Sequence, residues 1–323
     1  MSRQRAVLLM LLVTLLWSTA GVVTRHLEAA RGFELTFWRS AFNALALIVV
    51  LGALRGRALL QQLRKARRAV WASGLCWAVM FTAFMVALSL TRVAHVLVVM
   101  ALGPLLTALF ARVFLRHRLP ARTWGAIALA TLGVAWMFGQ ELGAPSAWTG
   151  MAVALAVPVA AALNWCLLQH DGQTSRESSR QSSRWSAKRD SDMPLAVLLG
   201  ALISAAVALP LAWPLQASAH DLGLLAGLGV FQLALPCLLV VRLAQVLPGP
   251  VLSLLGQMEL LLGVLWAWLG AGEVPSAAAL TGGALVLLAL VANELLGLRA
   301  SLSPDQSSRS SQSSQSPGFR SPT

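Results

Sequence analysis

Residues Ala6–Thr24 read AVLLMLLVTLLWSTAGVVT, an apolar stretch without a charged side chain. A helix needs about 20 such residues to cross a hydrocarbon core about 30 Å thick. Nine more stretches of similar length and character follow, and the ten predicted spans are Ala6–Thr24, Leu35–Leu54, Ala69–Leu90, Ala94–Leu115, Arg122–Gln140, Trp148–Leu168, Leu195–Leu215, Leu222–Val241, Gly249–Gly270 and Ala277–Leu298. The sequence therefore predicts an all-α polytopic membrane protein of ten transmembrane helices.

The composition points to lipid, and away from nucleic acid, as the surroundings of the chain. Hydrophobic residues make up 57% and charged residues 11%, whereas a soluble domain has about 25% charged residues. The net charge of +13 would suit a nucleic-acid partner, but the basic residues lie in loops between spans and do not follow one face of a domain. We therefore predict a lipid bilayer as the partner and no nucleic acid.

The basic residues also predict an orientation. They concentrate at the N-terminus and in the loops after the second, fourth and sixth spans, whereas Gln140–Ala147, Gln216–Asp221 and Ala271–Ser276 contain no Lys or Arg. Because basic loops stay on the cytoplasmic side, we expect a multi-pass protein of the cell (inner, cytoplasmic) membrane with both termini in the cytoplasm.

Two polar segments interrupt the apolar pattern. Residues 169–193 are rich in Ser and Arg, and residues 299–323 are rich in Ser, Gln and Pro. Neither can bury enough apolar surface to offset the entropy of ordering, so we predict that both are disordered and cytoplasmic. The first segment divides the chain, with spans 1 to 6 in residues 1–168 and spans 6 to 10 in residues 148–298.

The two halves resemble each other in sequence. Val99–Pro120 (VMALGPLLTALFARVFLRHRLP) aligns with Ser253–Pro275 (SLLGQMELLLGVLWAWLGAGEVP), which matches Leu260 with Pro104 and Glu273 with His117. Five spans in each half is an odd number, so the second half enters the membrane upside down. Such inverted five-helix repeats are common in secondary transporters, which bind substrate near the midplane between the repeats.

These patterns resemble the EamA branch of the drug/metabolite transporter superfamily, over about Ala6 to Leu298. The residues that fall on favoured positions are Glu259, Gly263, Trp266, Trp268, Gly272, Glu273, Pro275, Gly282 and Gly283 in the second half, and Trp17, Gly21, Arg39, Gly103, Pro104 and Gly125 in the first. The chain departs from the family pattern at Arg116-His117, in place of Gly-Glu, and at Leu260, in place of proline. The resemblance implies two EamA-like repeats, spans 1–5 and spans 6–10, and a carrier of small organic solutes, often an exporter.

Glu259 is the strongest candidate for a functional residue, because it lies near the middle of an apolar span. A charge there costs about 2.5–3.5 kcal/mol, so the side chain should face the protein interior or a watery cavity. It shares a helical stripe with Gly256, Gly263 and Trp266. Two interpretations remain open: a substrate or proton site, or a structural carboxyl group that binds a neighbouring helix.

Other polar residues within or beside the spans form the rest of the candidate site. Polar groups in lipid need partners on other helices. The candidates for a substrate or proton pathway are Glu259, Gln257, Asn164, Gln232, Asn43, His95 and Trp17. Two interpretations of Arg39 are open: it extends to the membrane interface, or it pairs with Glu28, Glu34 or Glu273, either structurally or as an outer gate. We assign helix packing to Gly256, Gly263, Gly282, Gly283 and Pro104.

The sequence contains none of the motifs that would indicate an enzyme. There is no Gly-rich phosphate loop, no His/Cys/Asp cluster with metal-ligand spacing and no Gly-x-Ser-x-Gly elbow. We therefore predict a non-enzyme without cofactor or metal, whose partner is a small-molecule substrate moved by ion or solute gradients. The alternatives are a lipid-acting membrane enzyme and a membrane scaffold without transport activity, and the oligomeric state is left open.

Overall fold

The computed structural model describes residues 2–24, 26–56, 58–90, 96, 99–100, 102–115, 119–138, 147–181, 193–271 and 277–302. The helices are α1 (Arg3–Ser18), α2 (Ala20–Thr24), α3 (Phe33–Arg55), α4 (Ala58–Arg64), α5 (Arg68–Leu90), α6 (Gly103–Phe114), α7 (Ala121–Phe138), α8 (Ala147–Gln181), α9 (Met193–Ala212), α10 (Ala219–Gly227), α11 (Leu235–Leu243), α12 (Gly249–Gly256), α13 (Met258–Ala271) and α14 (Ala277–Leu302), with a π-helical segment at Leu228–Ala234. No strand occurs in these residues, which confirms the all-α prediction.

Seven helical segments of the described chain are long and apolar enough to cross a membrane: Arg3–Thr24, Phe33–Arg55, Arg68–Ala87, Trp148–His170, Met193–Ala212, Ala219–Leu243 and Gly249–Gly270. Gly103–Phe114 and Leu280–Asn293 are shorter apolar helices. Large apolar side chains on the outer faces are exposed, such as Leu8, Leu54 and Leu269. Exposed apolar surface on this scale is unfavourable in water. The chain is a multi-pass membrane protein.

Two of the predicted spans are interrupted where hydroxyl groups or proline compete with the helix. α1 ends at Ser18, and Thr19, which follows it, donates its hydroxyl hydrogen to the Leu16 carbonyl at 2.7 Å. This back-bonding often bends helices. In the eighth span a π-helical segment lies between α10 and α11. Pro236 follows it, and its ring cannot fit against the carbonyl four residues back, at Gln232.

The fourth and ninth predicted spans are also interrupted, at closely matching positions. The Leu102 N–H bonds to the Val99 carbonyl at 3.1 Å, just before α6. The Gln257 N–H bonds to the Leu254 carbonyl at 3.1 Å, between α12 and α13. Each is a three-residue turn where an unbroken α-helix would bond four residues back. In the alignment that matches Leu260 with Pro104, the two turns lie within one residue of each other.

The helices run beyond two of the predicted boundaries. α8 continues to Gln181, so the first part of the predicted disordered segment 169–193 is helical. α14 continues to Leu302, past the predicted end at Leu298. Both extensions continue a helix that the membrane span has already nucleated, and each added residue then gains one hydrogen bond at little cost. Residues 182–192 and 303–323 lie outside the described residues.

The helices pair in a pattern that is unchanged when the two halves are exchanged. α3 packs on α9, α6 on α12, and α7 on α14, and each pair joins equivalent spans of the two predicted repeats. α5 contacts α9 and α8, while the π-helical segment contacts α3 and α1. The third span therefore contacts the first two spans of the second half, and the eighth span contacts the first two spans of the first half.

Three glycines that the sequence analysis did not select lie where helices approach most closely. A Cβ added at Gly133, Gly200 or Gly229 would fall 2.8, 2.4 and 2.6 Å, respectively, from an atom of the facing helix. Small residues allow this close approach between membrane helices. The signal in the sequence was weak, because a glycine at a contact and a glycine facing lipid look alike.

The glycines that were assigned to packing divide into two groups. A Cβ added at Gly283 would lie 3.2 Å from Leu261, and the Gly282 carbonyl lies against α7. At Gly256 and Gly263 an added Cβ meets no described atom within 4 Å, and the packing role of these two glycines stays a prediction. Pro104 is buried in the first turn of α6, where its missing N–H has no intrahelical partner to lose.

Candidate functional site

A cavity of about 160 Å³ lies between helices from both halves of the chain. From the first half it is lined by residues of α1, α3 and α5 together with Met100 and Gly103. From the second half it is lined by α8, the π-helical segment, α11, α12 and α13. An engineered protein cavity of about 150 Å³ holds a benzene molecule, so this cavity has room for a group of that size.

One wall of the cavity is aromatic. The Trp77 ring lies 5.5 Å from Phe81 and 6.4 Å from Trp165, the second contact being edge to face at 86°. Methionine side chains at Met10, Met80 and Met100 complete the apolar lining. Aromatic rings present flat apolar surface and methionine adapts to irregular shapes. This wall suits a flat apolar group.

Two opposite charges face the cavity, and they come from opposite halves. Arg39 on α3 is only 2% exposed, and its Nη2 donates to the Phe81 carbonyl at 3.5 Å. Glu259 on α13 lines the same cavity, close enough for the two charges to interact electrostatically. The remaining lining residues carry no formal charge. The formal charge of the described lining is therefore balanced.

Four buried polar atoms at the cavity have no hydrogen-bond partner among the described residues: Arg39 Nε, Trp77 Nε1, Gln232 Oε1 and Gln257 Oε1. Two are donors and two are acceptors. The other end of the Gln232 amide is engaged, because Nε2 donates to the Trp17 carbonyl at 3.3 Å. Nearly all buried polar groups in proteins are paired. Four unpaired atoms around one cavity indicate a place for a polar ligand.

The structure brings together part of the predicted site. Trp17, Arg39, Gln232, Gln257 and Glu259 all line the cavity, although they are far apart in sequence. Gly256 lines it as well, and a Cβ added there would meet no described atom within 4 Å. The roles of these residues in transport remain predictions.

Other predicted residues lie elsewhere. Asn164 is buried, and its Oδ1 accepts a hydrogen bond from the Ser73 hydroxyl at 2.6 Å. Asn43 is fully buried on α3 and does not line the cavity. His95 and Glu273 lie outside the residues that the structure describes. The aromatic wall was missed, since a tryptophan inside an apolar span can equally face lipid.

Arg39 does not have the neighbours that the sequence predicted. The Glu34 carboxylate Oε1 accepts from the backbone N–H groups of Gln216 and Ala217, both at 2.8 Å. The Glu28 carboxylate lies near Ser218 and His220 on the surface. Arg39 lies one to two turns beyond Glu34 on α3. Its side chain is buried and lines the cavity together with Glu259. The expected pairing with Glu28 or Glu34 was therefore wrong.

Glu34 and Asp221 instead form what we call the reciprocal clamp. Asp221 Oδ1 accepts from the Glu28 N–H at 2.8 Å, and Oδ2 accepts from the Ala29 and Ala30 N–H groups at 2.9 and 2.8 Å. Asp221 thus ties the start of α10 to the loop before α3, while Glu34 ties the start of α3 to the loop before α10. Each carboxylate satisfies backbone groups that would otherwise be unpaired.

The carboxylates and imidazole of Glu28, His220 and Asp221 come within 4.8 Å of one another, a spacing that could hold a metal ion. Both Asp221 oxygens already accept backbone hydrogen bonds. Glu28 and His220 are more than half exposed. We therefore assign Asp221 to the reciprocal clamp, while the side chains of Glu28 and His220 lie at the surface beside it.

Comparison with known proteins gives one family match and a similar solved structure. No curated protein matches the chain significantly. A solved crystal structure shares the fold with a TM-score of 0.72 at 21% sequence identity, over 93% of this chain and 99% of that chain. Residues 4–139 match the EamA-like transporter family. This match covers the first predicted repeat, whereas most of the quoted family positions lie in the second. Over residues 4–139, the chain is thus similar in sequence to the EamA-like transporter family.

Proposed function

We propose that the protein is a secondary transporter that exports a small organic metabolite or drug across the cytoplasmic membrane by alternating access. The observation that carries this proposal is the cavity between the two halves, with balanced charges, an aromatic wall and four unpaired polar atoms. A site at the junction of two halves can be opened to either side when one half rocks against the other.

The proposed architecture is ten transmembrane helices in two inverted five-helix repeats. The helix pairing supports this architecture, because equivalent spans of the two halves make the same contacts. The matching interruptions at Leu102 and Gln257 support it too, because transporters often build their sites from discontinuous helices. The family match over residues 4–139 also ends where the fifth predicted span ends.

The proposed orientation places both termini in the cytoplasm and the reciprocal clamp at the outer surface. The distribution of Lys and Arg between the loops supports this orientation. The clamp would then hold the outer ends of α3 and α10 together, while the basic loops lie on the cytoplasmic side.

Glu259 is the proposed centre of coupling. It lies on α13 of the second half and faces Arg39 of the first half across the cavity. A carboxylate in this position can exchange its interaction with Arg39 for one with a proton or with a bound solute. Because Glu259 and Arg39 belong to different halves, a change in their interaction would couple solute or proton binding to the movement of the halves that opens the cavity.

The test is solute flux through purified full-length protein in proteoliposomes. A thermal-shift screen against amino acids, nucleosides and cationic drugs selects the solute. We expect Glu259→Gln to lower flux at least tenfold and to leave the yield of folded protein nearly unchanged. Glu28→Gln is the matched control, because Glu28 is an exposed carboxylate outside the cavity, and it should transport normally.

Unchanged flux in Glu259→Gln would remove Glu259 from the mechanism. If the wild-type protein binds solutes but moves none, the transport proposal is wrong and a scaffold role gains support. Chemical conversion of a lipid or solute in the same vesicles would point to an enzyme instead.

A further inference from the structure

We infer that the cavity selects solutes of zero net charge that join a flat apolar body to a polar group carrying both a hydrogen-bond donor and an acceptor. This rests on the proposed function, since it names the substrate class of the same cavity. Three independent features of the lining lead to it: its charge balance, its unpaired polar atoms and its aromatic wall.

The first feature is the charge balance between Arg39 and Glu259. The two residues supply one positive and one negative charge to a lining that is otherwise uncharged. A solute with a net charge would leave water and enter a site whose two charges already compensate each other. Burial of a charge without a counterion is costly. A neutral solute avoids this cost, and so does a zwitterion whose two charges meet Glu259 and Arg39.

The second feature is the set of unpaired polar atoms. Arg39 Nε and Trp77 Nε1 are donors that need an acceptor, and Gln232 Oε1 and Gln257 Oε1 are acceptors that need a donor. A hydrocarbon would leave all four buried and unpaired. A site built to hydrogen-bond a substrate rejects analogues that lack the matching group by large factors. A carboxamide supplies both kinds of group within a few ångströms.

The third feature is the shape of the apolar part. Trp77, Phe81 and Trp165 line the cavity, and the Trp77 ring packs against the other two rings. The volume of about 160 Å³ is close to that of a cavity that holds a benzene molecule. A single aromatic ring therefore fits against this wall while its polar group reaches the unpaired atoms.

The test compares four probes built on one ring: benzamide, benzylammonium, benzoate and toluene. Their binding to the purified full-length protein in detergent is measured by isothermal titration calorimetry at pH 8, so that Glu259 is ionised and benzylammonium keeps its charge. We expect benzamide to bind at least tenfold more tightly than each of the other three probes. Equal or tighter binding of benzylammonium, benzoate or toluene would overturn the inference, and so would the absence of benzamide binding.

Charge substitutions make the test sharper. Glu259→Gln leaves Arg39 uncompensated, so the preference should shift at least tenfold toward benzoate. Arg39→Gln should shift it by a similar factor toward benzylammonium, and the double variant should return the preference to benzamide. If Arg39→Gln does not fold, Trp77→Phe replaces it: loss of one donor should weaken benzamide binding several-fold and leave toluene unaffected. An unchanged ratio of benzamide affinity to benzoate affinity in Glu259→Gln, or of benzamide affinity to toluene affinity in Trp77→Phe, would overturn the inference.

The outcomes separate this inference from the proposed function. The predicted probe order without any flux in proteoliposomes would contradict transport and preserve the selectivity. Flux of a charged solute together with tight binding of the charged probes would contradict the selectivity and preserve transport.

Discussion

The reciprocal clamp and the cavity both contain buried charged side chains, but these differ in whether their hydrogen bonds are completed. In the clamp, Asp221 is fully buried, and its two oxygens accept three hydrogen bonds from the loop before α3. In the cavity, Arg39 is just as well buried, yet its Nε has no partner among the described residues. Both regions join elements from the first and second halves of the chain.

Unpaired polar atoms also occur away from the cavity, at Thr36, Asn43 and Asn164. An unpaired atom together with a cavity therefore marks a group that is available to a ligand. A paired buried group stabilises the fold, and its removal leaves the partner unsatisfied. An unpaired buried group already carries its desolvation cost, so its removal is nearly neutral for stability and harmful for binding. We therefore expect substitutions in the clamp to change stability and substitutions in the cavity to change transport.

The largest expected effect is that of Asp221→Ala. The Glu28, Ala29 and Ala30 N–H groups lose their acceptor, so the midpoint of thermal unfolding should fall by roughly 10 °C. The measurement is a thermal unfolding curve of the detergent-solubilised protein. Glu28→Ala is the control, because that exposed side chain should change the midpoint little. Equal midpoints for Asp221→Ala and wild type would remove the clamp as a structural element.

A smaller loss of stability is expected at Glu34. Its Oε1 accepts from the Gln216 and Ala217 N–H groups and, at 3.3 Å, from Trp38 Nε1. Glu34→Ala should lower the unfolding midpoint by about 5 °C, and Glu34→Gln by about half as much, since the amide oxygen can still accept. The same unfolding curves measure both. An equal loss in the two variants would show that the charge, which both remove, matters at this position and that the hydrogen bonds do not.

Gln257→Leu should change transport strongly and stability little, the opposite of the substitutions in the clamp. Its Oε1 is unpaired in the described residues, so the unfolding midpoint should stay within about 2 °C of wild type, while flux falls about tenfold. The control is Asn164→Leu, the same kind of change at an amide that accepts from Ser73, and it should lower the midpoint. If Gln257→Leu is as unstable as Asn164→Leu, the distinction between paired and unpaired groups fails here.

The smallest effect is expected from Gly256→Ala. An added Cβ meets no described atom within 4 Å, and alanine favours the helix by about 0.5–1 kcal/mol, so stability should not decrease. The methyl group narrows the cavity beside Glu259, and flux should fall about two- to threefold. Gly223→Ala, also in open space but away from the cavity, should transport at the wild-type rate. Faster transport by Gly256→Ala would contradict the assigned position of the cavity.

Sequence reasoning reached the polar lining of the cavity for a simple physical reason. Gln232, Gln257 and Glu259 are expensive in lipid, so they had to face the interior, and all three do. The same reasoning applied to Asn164 and Asn43, which are also buried but lie away from the cavity. Cost in lipid thus predicts an interior position, but not which interior position.

Residues that are cheap in lipid could not be placed in this way. Trp77 and Trp165 are as compatible with a lipid-facing surface as with the aromatic wall, and Gly200 and Gly229 are as compatible with open space as with close contact. The neighbour of Arg39 was wrong for another reason. The predicted topology suggested Glu28, Glu34 or Glu273, because it places them on the same side of the membrane as Arg39, while the folded helices bring Arg39 to Glu259 of the other half.

The amino-acid order dictates the all-α, membrane-spanning character of the chain, because hydrocarbon tolerates long apolar helices and little else. It also dictates that the intramembrane polar side chains turn inward. Which of them meet at one cavity, and which have their hydrogen bonds completed by a neighbouring helix, depends on how the two halves pack. That packing involves atoms more than a hundred residues apart, and no local pattern of residues encodes their distance.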